Sequence, residues 1–173
     1  MQDSTTLSNL RSLLNRLDQL TPKDRWSPVS GSIGLLLEPE LRASDYHETP
    51  RNSAVFAQTG GDGVHFSFLQ DEERRNGNCP VVMTVPMNWD NANLIVGRDL
   101  KEFLALGVRT GYVILEQLLY DRSAWLPVLD SQEYYSSLDQ VDIDALKAIQ
   151  AEFKLEPWVN HGDRLEVLQN EFF

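Results

Sequence analysis

Cysteine is almost missing from this chain. Cys79 stands alone among 173 residues, so no intramolecular disulfide can form and packing alone must hold the fold. Histidine is scarce too: His47, His65 and His161 are the whole set, and no two have the close spacing of a helical metal site. Bases are outnumbered, with 15 Lys and Arg against 26 Asp and Glu, a formal net charge of −11. Contacts to phosphates need clustered cations, so this balance excludes non-specific nucleic-acid binding and disfavours anionic membrane surfaces. No apolar run approaches the roughly 18 residues of a membrane-spanning helix. No basic-then-apolar segment opens the chain, so no secretory leader is expected and the cytosol is the expected compartment. No Gly-x-Ser-x-Gly elbow of a serine hydrolase is present, and neither a metal nor a cofactor is expected.

What is present is ordinary globular material. Hydrophobic residues make up 42% and charged residues 24%, which places the chain among folded single domains rather than disordered ones. The acid excess is uneven: residues 130–173 carry ten acids and three bases. An acidic surface of this kind suits a basic protein partner, whose approach it would steer, and it equally serves solubility.

The periodicity predicts an α+β fold: a central, mostly antiparallel sheet of about four to six strands, an N-terminal helix, and a helical C-terminal part. Leu7, Leu10, Leu14 and Leu17 recur at helical spacing over 4–20, with Ser4, Thr5 and Thr6 as candidate caps and Pro22 as the stop. Residues 21–31 read as loop, with Trp26 over the edge of the core. Short strands are expected at 33–37, where Pro39 makes the strand brief or places it at a sheet edge, and then at 53–59, 64–69, 80–85 and 92–96. Residues 42–52 and 71–78 read as loops. Close spacing of the strands favours a meander over βαβ units. Helical period returns at 98–106 and 111–120, is expected to break at Trp125–Pro127, and resumes after Asp142 or Asp144. The whole chain reads as one domain, with a core over 32–120 and additional helices over 125–173.

The clearest local signal is Gly60-Gly61-Asp62-Gly63, between a strand carrying Val55 and Phe56 and one in which Val64, Phe66 and Phe68 alternate with His65 and Ser67. Glycine-rich loops that cradle phosphate open a helix and carry Lys and Ser or Thr; this one opens a strand and has neither. It is read as a structural turn that sets a hairpin, with one hairpin face in the core. Three other features are candidate sites. Trp89, flanked by Asn88 and Asp90 on a strand connection, is a candidate contact residue or folds back on the sheet. His65 beside Asp62 could form an acid–base pair or simply pack. Cys79 reads as a partly buried free thiol.

Residues 46–106 carry a further pattern: Tyr46, Thr49-Pro50, a strand ending in Phe56-Ala57, then Thr59-Gly60-Gly61-Asp62-Gly63, Pro80-Val81-Val82, and Val96-Gly97-Arg98-Asp99-Leu100-Lys101-Glu102-Phe103-Leu104. This run, about a third of the chain, resembles the core of the SUKH superfamily. The chain departs from the family pattern in lacking an early helix that ends in Asn-Gly-Gly, and in its extra helices from Trp125 onward. The resemblance implies a central antiparallel sheet flanked by helices and a non-enzymatic, protein-binding role. It is the role of an immunity protein that neutralises a toxin, often a nuclease, or of an intracellular scaffold. The family has no shared catalytic residues to carry over. The leading expectation is therefore a domain that binds a protein, such as a basic toxin or nuclease domain, through Asp62, Trp89 and Asp90. The alternatives are a small enzyme or ligand-binding protein with a pocket near His65, Asp62 and Trp89, and a self-associating module, such as a homodimer, that uses Leu168, Phe172 and Phe173.

Overall fold

The computed structural model describes residues 2–23, 25–70 and 79–172; the loop expected over 71–78 lies outside them. Helix α1, Gln2–Leu20, turns Leu7, Leu10, Leu13 and Leu14 into the core. It starts ahead of the expected Ser and Thr caps, and in its first turn the Asp3 carboxylate accepts from Cys79 N at 2.7 Å and Leu100 N at 3.3 Å. Burial raises the pKa of this carboxyl. After α1 comes a single turn, α2 (Val29–Ser32), inside the stretch expected as loop. Asp18 holds it by accepting from Ser30 N and Ser30 Oγ at 2.9 and 2.6 Å. Trp26 does not cover the core edge; it is 89% exposed.

Five strands follow: β1 Leu36–Arg42, β2 Ser53–Gln58, β3 His65–Leu69, β4 Val81–Thr84 and β5 Asn93–Gly97. They form one antiparallel meander in chain order. This is the α+β architecture the periodicity predicts, with a helix before the sheet in the chain and a helical part after it. Strand β1 runs through Pro39 instead of ending before it. It is an edge strand, and its pairing with β2 skips from Leu37 to Arg42, so the missing proline N–H costs no ladder bond. The hairpin also departs from expectation. Both faces of β3 are buried, His65 and Ser67 as well as Phe66 and Phe68.

On one face Phe66 packs against Phe103, with ring centroids 4.7 Å apart, and against Tyr112 at 6.5 Å. Phe103 belongs to α3 (Leu100–Gly107), whose cap is Asp99, the acceptor from Glu102 N at 2.8 Å. Tyr112 is fully buried and its hydroxyl donates to Leu104 O at 3.0 Å. On the other face the segment from 43 to 52 returns across the sheet. Asn93 Nδ2 donates to Glu48 O at 2.8 Å, and Thr49 Oγ1 reaches His65 Nε2 at 3.0 Å.

The expected second helix over 111–120 is a 3-10 turn, Val113–Glu116, leading into α4, Gln117–Tyr120. Trp125–Pro127 does not break the helical pattern. It lies within α5 (Arg122–Leu129), where Asp121 caps by accepting from Ala124 N at 3.1 Å. In a helix this short, proline forfeits a single backbone bond. Helix α6 spans Gln132–Ser137, and α7 spans Gln140–Phe153. The cap of α7 is Asp139, not Asp142 or Asp144. Asp142 points inward, where Arg25 Nη2 donates to both of its oxygens at 2.8 and 2.9 Å. Helix α8, His161–Phe172, packs beside β5. There Gln169 Oε1 accepts from Ile95 N at 3.1 Å and Gln169 Nε2 donates to Ile95 O at 3.0 Å. Its side-chain amide thus pairs the outer edge of β5 as a further strand would. Leu146, Ile149, Leu165 and Leu168 share the core with β2–β5. No helix among the described residues is long and apolar enough to cross a membrane.

Candidate functional site

In an antiparallel meander the β2–β3 turn and the β4–β5 connection fall at one end of the sheet. The glycine turn works there as read. Gly60 and Gly63 have φ of +88° and +73°, and Asp62 has +48°. Such values favour glycine, with Asp among the few tolerated alternatives. Tyr46 lies directly on Gly63, since a Cβ added there would meet the Tyr46 hydroxyl at 2.3 Å. The Tyr46 ring also stacks on His65, with centroids 5.8 Å apart.

The β4–β5 connection is stiff. Asn88 N donates to Val85 O at 3.0 Å, Asn91 N to Asn88 O at 3.1 Å, and Val85 N to Ala92 O at 2.8 Å. Asn88 Nδ2 donates to Leu119 O at 2.7 Å, which ties the connection to α4. This frame holds Trp89 out, 77% exposed, rather than folded onto the sheet. Met87 and Tyr120 are more than half exposed nearby, and Tyr46 is almost half exposed.

The same end is acidic. Asp62 and Asp90 are exposed and Glu48 is half-buried. Among the described residues none of the three carboxylates has an ion-pair or hydrogen-bond partner. Burial raises the Glu116 carboxyl, and the charge of Asp62 raises it further. The Tyr120 phenol is raised by desolvation and then by Glu116 and Asp62. These groups therefore share one field. Exposed aromatic side chains among unpaired carboxylates are suited to receiving cationic protein surfaces.

An open concavity of about 850 Å³ lies beside Trp89, lined also by His47, Glu48, Asp90, Asn93 and Gln169. His65 is not among its lining residues. It is 3% exposed, and both ring nitrogens are taken. The carbonyl of Gly63, 2.7 Å from Nδ1, can only accept, so Nδ1 carries a proton, and Nε2 lies 3.0 Å from Thr49 Oγ1. Burial lowers the pKa of this imidazole, and Asp62 is not its partner. Cys79 is half-buried, and burial followed by the charge of Asp3 raises its thiol pKa. Among the described residues no group of three or more His, Cys, Asp and Glu is placed to hold a metal ion.

Comparison with protein-family models, with curated proteins and with solved structures finds no match to this chain.

Of the residues singled out from sequence, Asp62, Trp89 and Asp90 fall at one end of the sheet. Leu168 is buried, Phe172 is half-buried against the core, and Phe173 lies outside the described residues. Sequence reasoning missed Tyr46, Glu48, Met87 and Tyr120. Tyr46 and Glu48 sit in an aperiodic stretch, and Tyr120 reaches this end only because Asn88 and Leu119 meet. Half of the ten C-terminal acids are engaged within the fold, while Glu133, Glu152, Glu156, Asp163 and Glu166 remain exposed. Asp130 bonds His161, Asp139 caps α7, Asp142 pairs with Arg25, Asp144 accepts from Gln140, and Glu171 pairs with Arg98.

Proposed function

We propose that this chain is a non-enzymatic protein-binding domain whose docking surface is the acidic, aromatic end of the sheet, and that its partner is a basic protein. The observation that carries this reading is Trp89. A large ring held 77% exposed by a hydrogen-bonded loop, beside carboxylates left without cations, fits a contact with a second protein. The resemblance to the SUKH superfamily points the same way and narrows it: an immunity protein whose partner is a toxin, with a nuclease domain supplying the basic surface.

The test is co-expression with the protein encoded beside this chain, followed by size-exclusion chromatography and calorimetry. A stoichiometric complex is expected, with affinity falling about tenfold or more as salt is raised from dilute to several times physiological strength. Trp89→Ala should weaken it by about 2 kcal/mol. For the immunity reading, the chain should also restore growth to cells that express the neighbouring protein. If the neighbouring product neither binds nor is toxic, the immunity reading fails. A complex that is indifferent to Trp89, Asp62 and Asp90 would move the docking surface elsewhere.

A further inference from the structure

The concavity beside Trp89 has a chemistry of its own. Two of its three side-chain amides, those of Asn93 and Gln169, are already committed. Asn93 Nδ2 donates to Glu48 O, Asn93 Oδ1 accepts from Thr84 Oγ1 at 2.8 Å, and both ends of the Gln169 amide are bonded to Ile95. What remains for a visitor is the carboxylates of Glu48 and Asp90 and the indole ring, with the His47 imidazole and the Asn91 amide at the same concavity. Neither carboxylate has an ion-pair or hydrogen-bond partner among the described residues. The walls that carry these groups are pre-set. The Glu48 backbone is tied to β5 through Asn93, and the Trp89–Asn91 turn is tied to α4 through Asn88. Acceptors together with a flat π face select a cation that is itself flat and rich in donors. A guanidinium meets both demands, since it stacks on indole and can fork to carboxylate oxygens. An ammonium meets only the charge.

We infer that this concavity is a receptor for an arginine side chain presented by an exposed segment of the partner protein. The inference rests on the protein-binding reading and names the feature of the partner that this surface recognises. The guanidinium lies against Trp89 and donates to Glu48 and Asp90. The concavity is open at about 850 Å³, larger than one side chain, so it admits the flanking backbone as well. The exposed Met87 continues the apolar surface along the same connection.

The probe is an acetylated, amidated hexapeptide of Gly and Ser with one central Arg, compared with its Lys and citrulline counterparts. Binding is followed by ¹H–¹⁵N NMR on the full chain, with the Trp89 indole signal assigned from Trp89→Phe. Expected is a saturable shift of that signal and of the Asn91 and Asn93 amides. Arg should bind at least about threefold more tightly than Lys, and citrulline should not saturate. Trp89→Ala should weaken the Arg peptide about tenfold. Glu48→Gln with Asp90→Asn should weaken it by a similar factor while leaving the amide spectrum elsewhere unchanged.

No saturable shift at Trp89, or equal affinities for Arg and citrulline, overturns the inference. The outcome separates from that of the docking reading. A partner complex that forms while the arginine peptide fails removes this receptor and leaves the docking function standing. An arginine peptide that binds while no partner complex forms does the reverse.

Discussion

Removing the carboxylate of Asp142 should show how firmly α7 is tied to the chain that follows α1. Arg25 Nη2 donates to both Asp142 oxygens at 2.8 and 2.9 Å, and Ser32 Oγ donates to Oδ1 at 2.5 Å. The two charged side chains are only 11% and 13% exposed. Asp142→Ala leaves a buried guanidinium whose Nη1 already has no hydrogen-bond partner. The remaining countercharge is Asp139, 3.9 Å away and 56% exposed. Breaking a buried pair from one side costs about 3–5 kcal/mol, and the residual attraction of Asp139 favours the lower end, about 3 kcal/mol. Unfolding entropy of about 2 cal/mol/K per residue turns this into a fall in Tm of about 8 °C for a chain of this length. Urea unfolding followed by far-UV circular dichroism measures the first, and calorimetry the second. Arg25→Met combined with Asp142→Leu should recover more than half of the loss, because the stranded charge is gone and the volume is kept. If Asp142→Ala costs less than about 0.5 kcal/mol, or the double replacement is as costly as the two single changes summed, the pair is not what holds α7.

Three further outcomes are expected. His65 is buried in its neutral form, with burial the main cause of its lowered pKa and Arg42 adding to it against the opposing charge of Glu38. Its folded pKa is thus below its unfolded value of about 6.5. The unfolded chain takes up the extra proton, so this contribution is present above pH about 6.5 and is lost as pH falls below it. Urea stability of the native chain should therefore drop more between neutral pH and pH about 5 than that of His65→Gln; parallel profiles would contradict a buried neutral imidazole. Gly63→Ala places a Cβ at φ +73° against the Tyr46 hydroxyl and should cost about 1–2 kcal/mol, whereas Gly61→Ala meets nothing within 4 Å and should stay within about 0.5 kcal/mol; equal effects in urea unfolding would refute the turn argument. Gln169→Leu strips both bonds from the outer edge of β5 and should cost about 2 kcal/mol. Light scattering should also show concentration-dependent association through the bared edge, and an unchanged monodisperse mass would count against the edge-pairing role.

Much of the fold was legible because its determinants are local. Leucines at helical spacing define α1, and alternating aromatics define β3. Glycines around Asp62 define the turn, and dense short strands define a meander. Pro39 limits a strand to a brief run or a sheet edge, and the edge is what occurs: β1 continues through it. What was misread has a common cause, a long-range partner that local pattern does not reveal. Trp125–Pro127 was read as an interruption, yet Asp121 caps a helix through it. Asp142 was read as a cap, yet Arg25, 117 positions earlier, draws it inward. His65 packs, as one of its two readings has it, because the segment from 43 to 52 folds over it; the acid–base pair with Asp62 does not form.

The candidate site divides in the same way. Glycine, aspartate and tryptophan at strand connections mark those connections as places where side chains face outward, and residue chemistry alone makes that so. The gathering of Trp89, Met87, Tyr120, Tyr46, Asp62 and Glu48 at one end depends on strand order, on the Asn88 bond to Leu119 and on the Asn93 bond to Glu48. Net charge is a sum over the sequence, and composition determines it by itself. Which carboxylates are spent inside the fold and which remain for a partner depends on distances between residues far apart in the chain, and only the tertiary structure decides that.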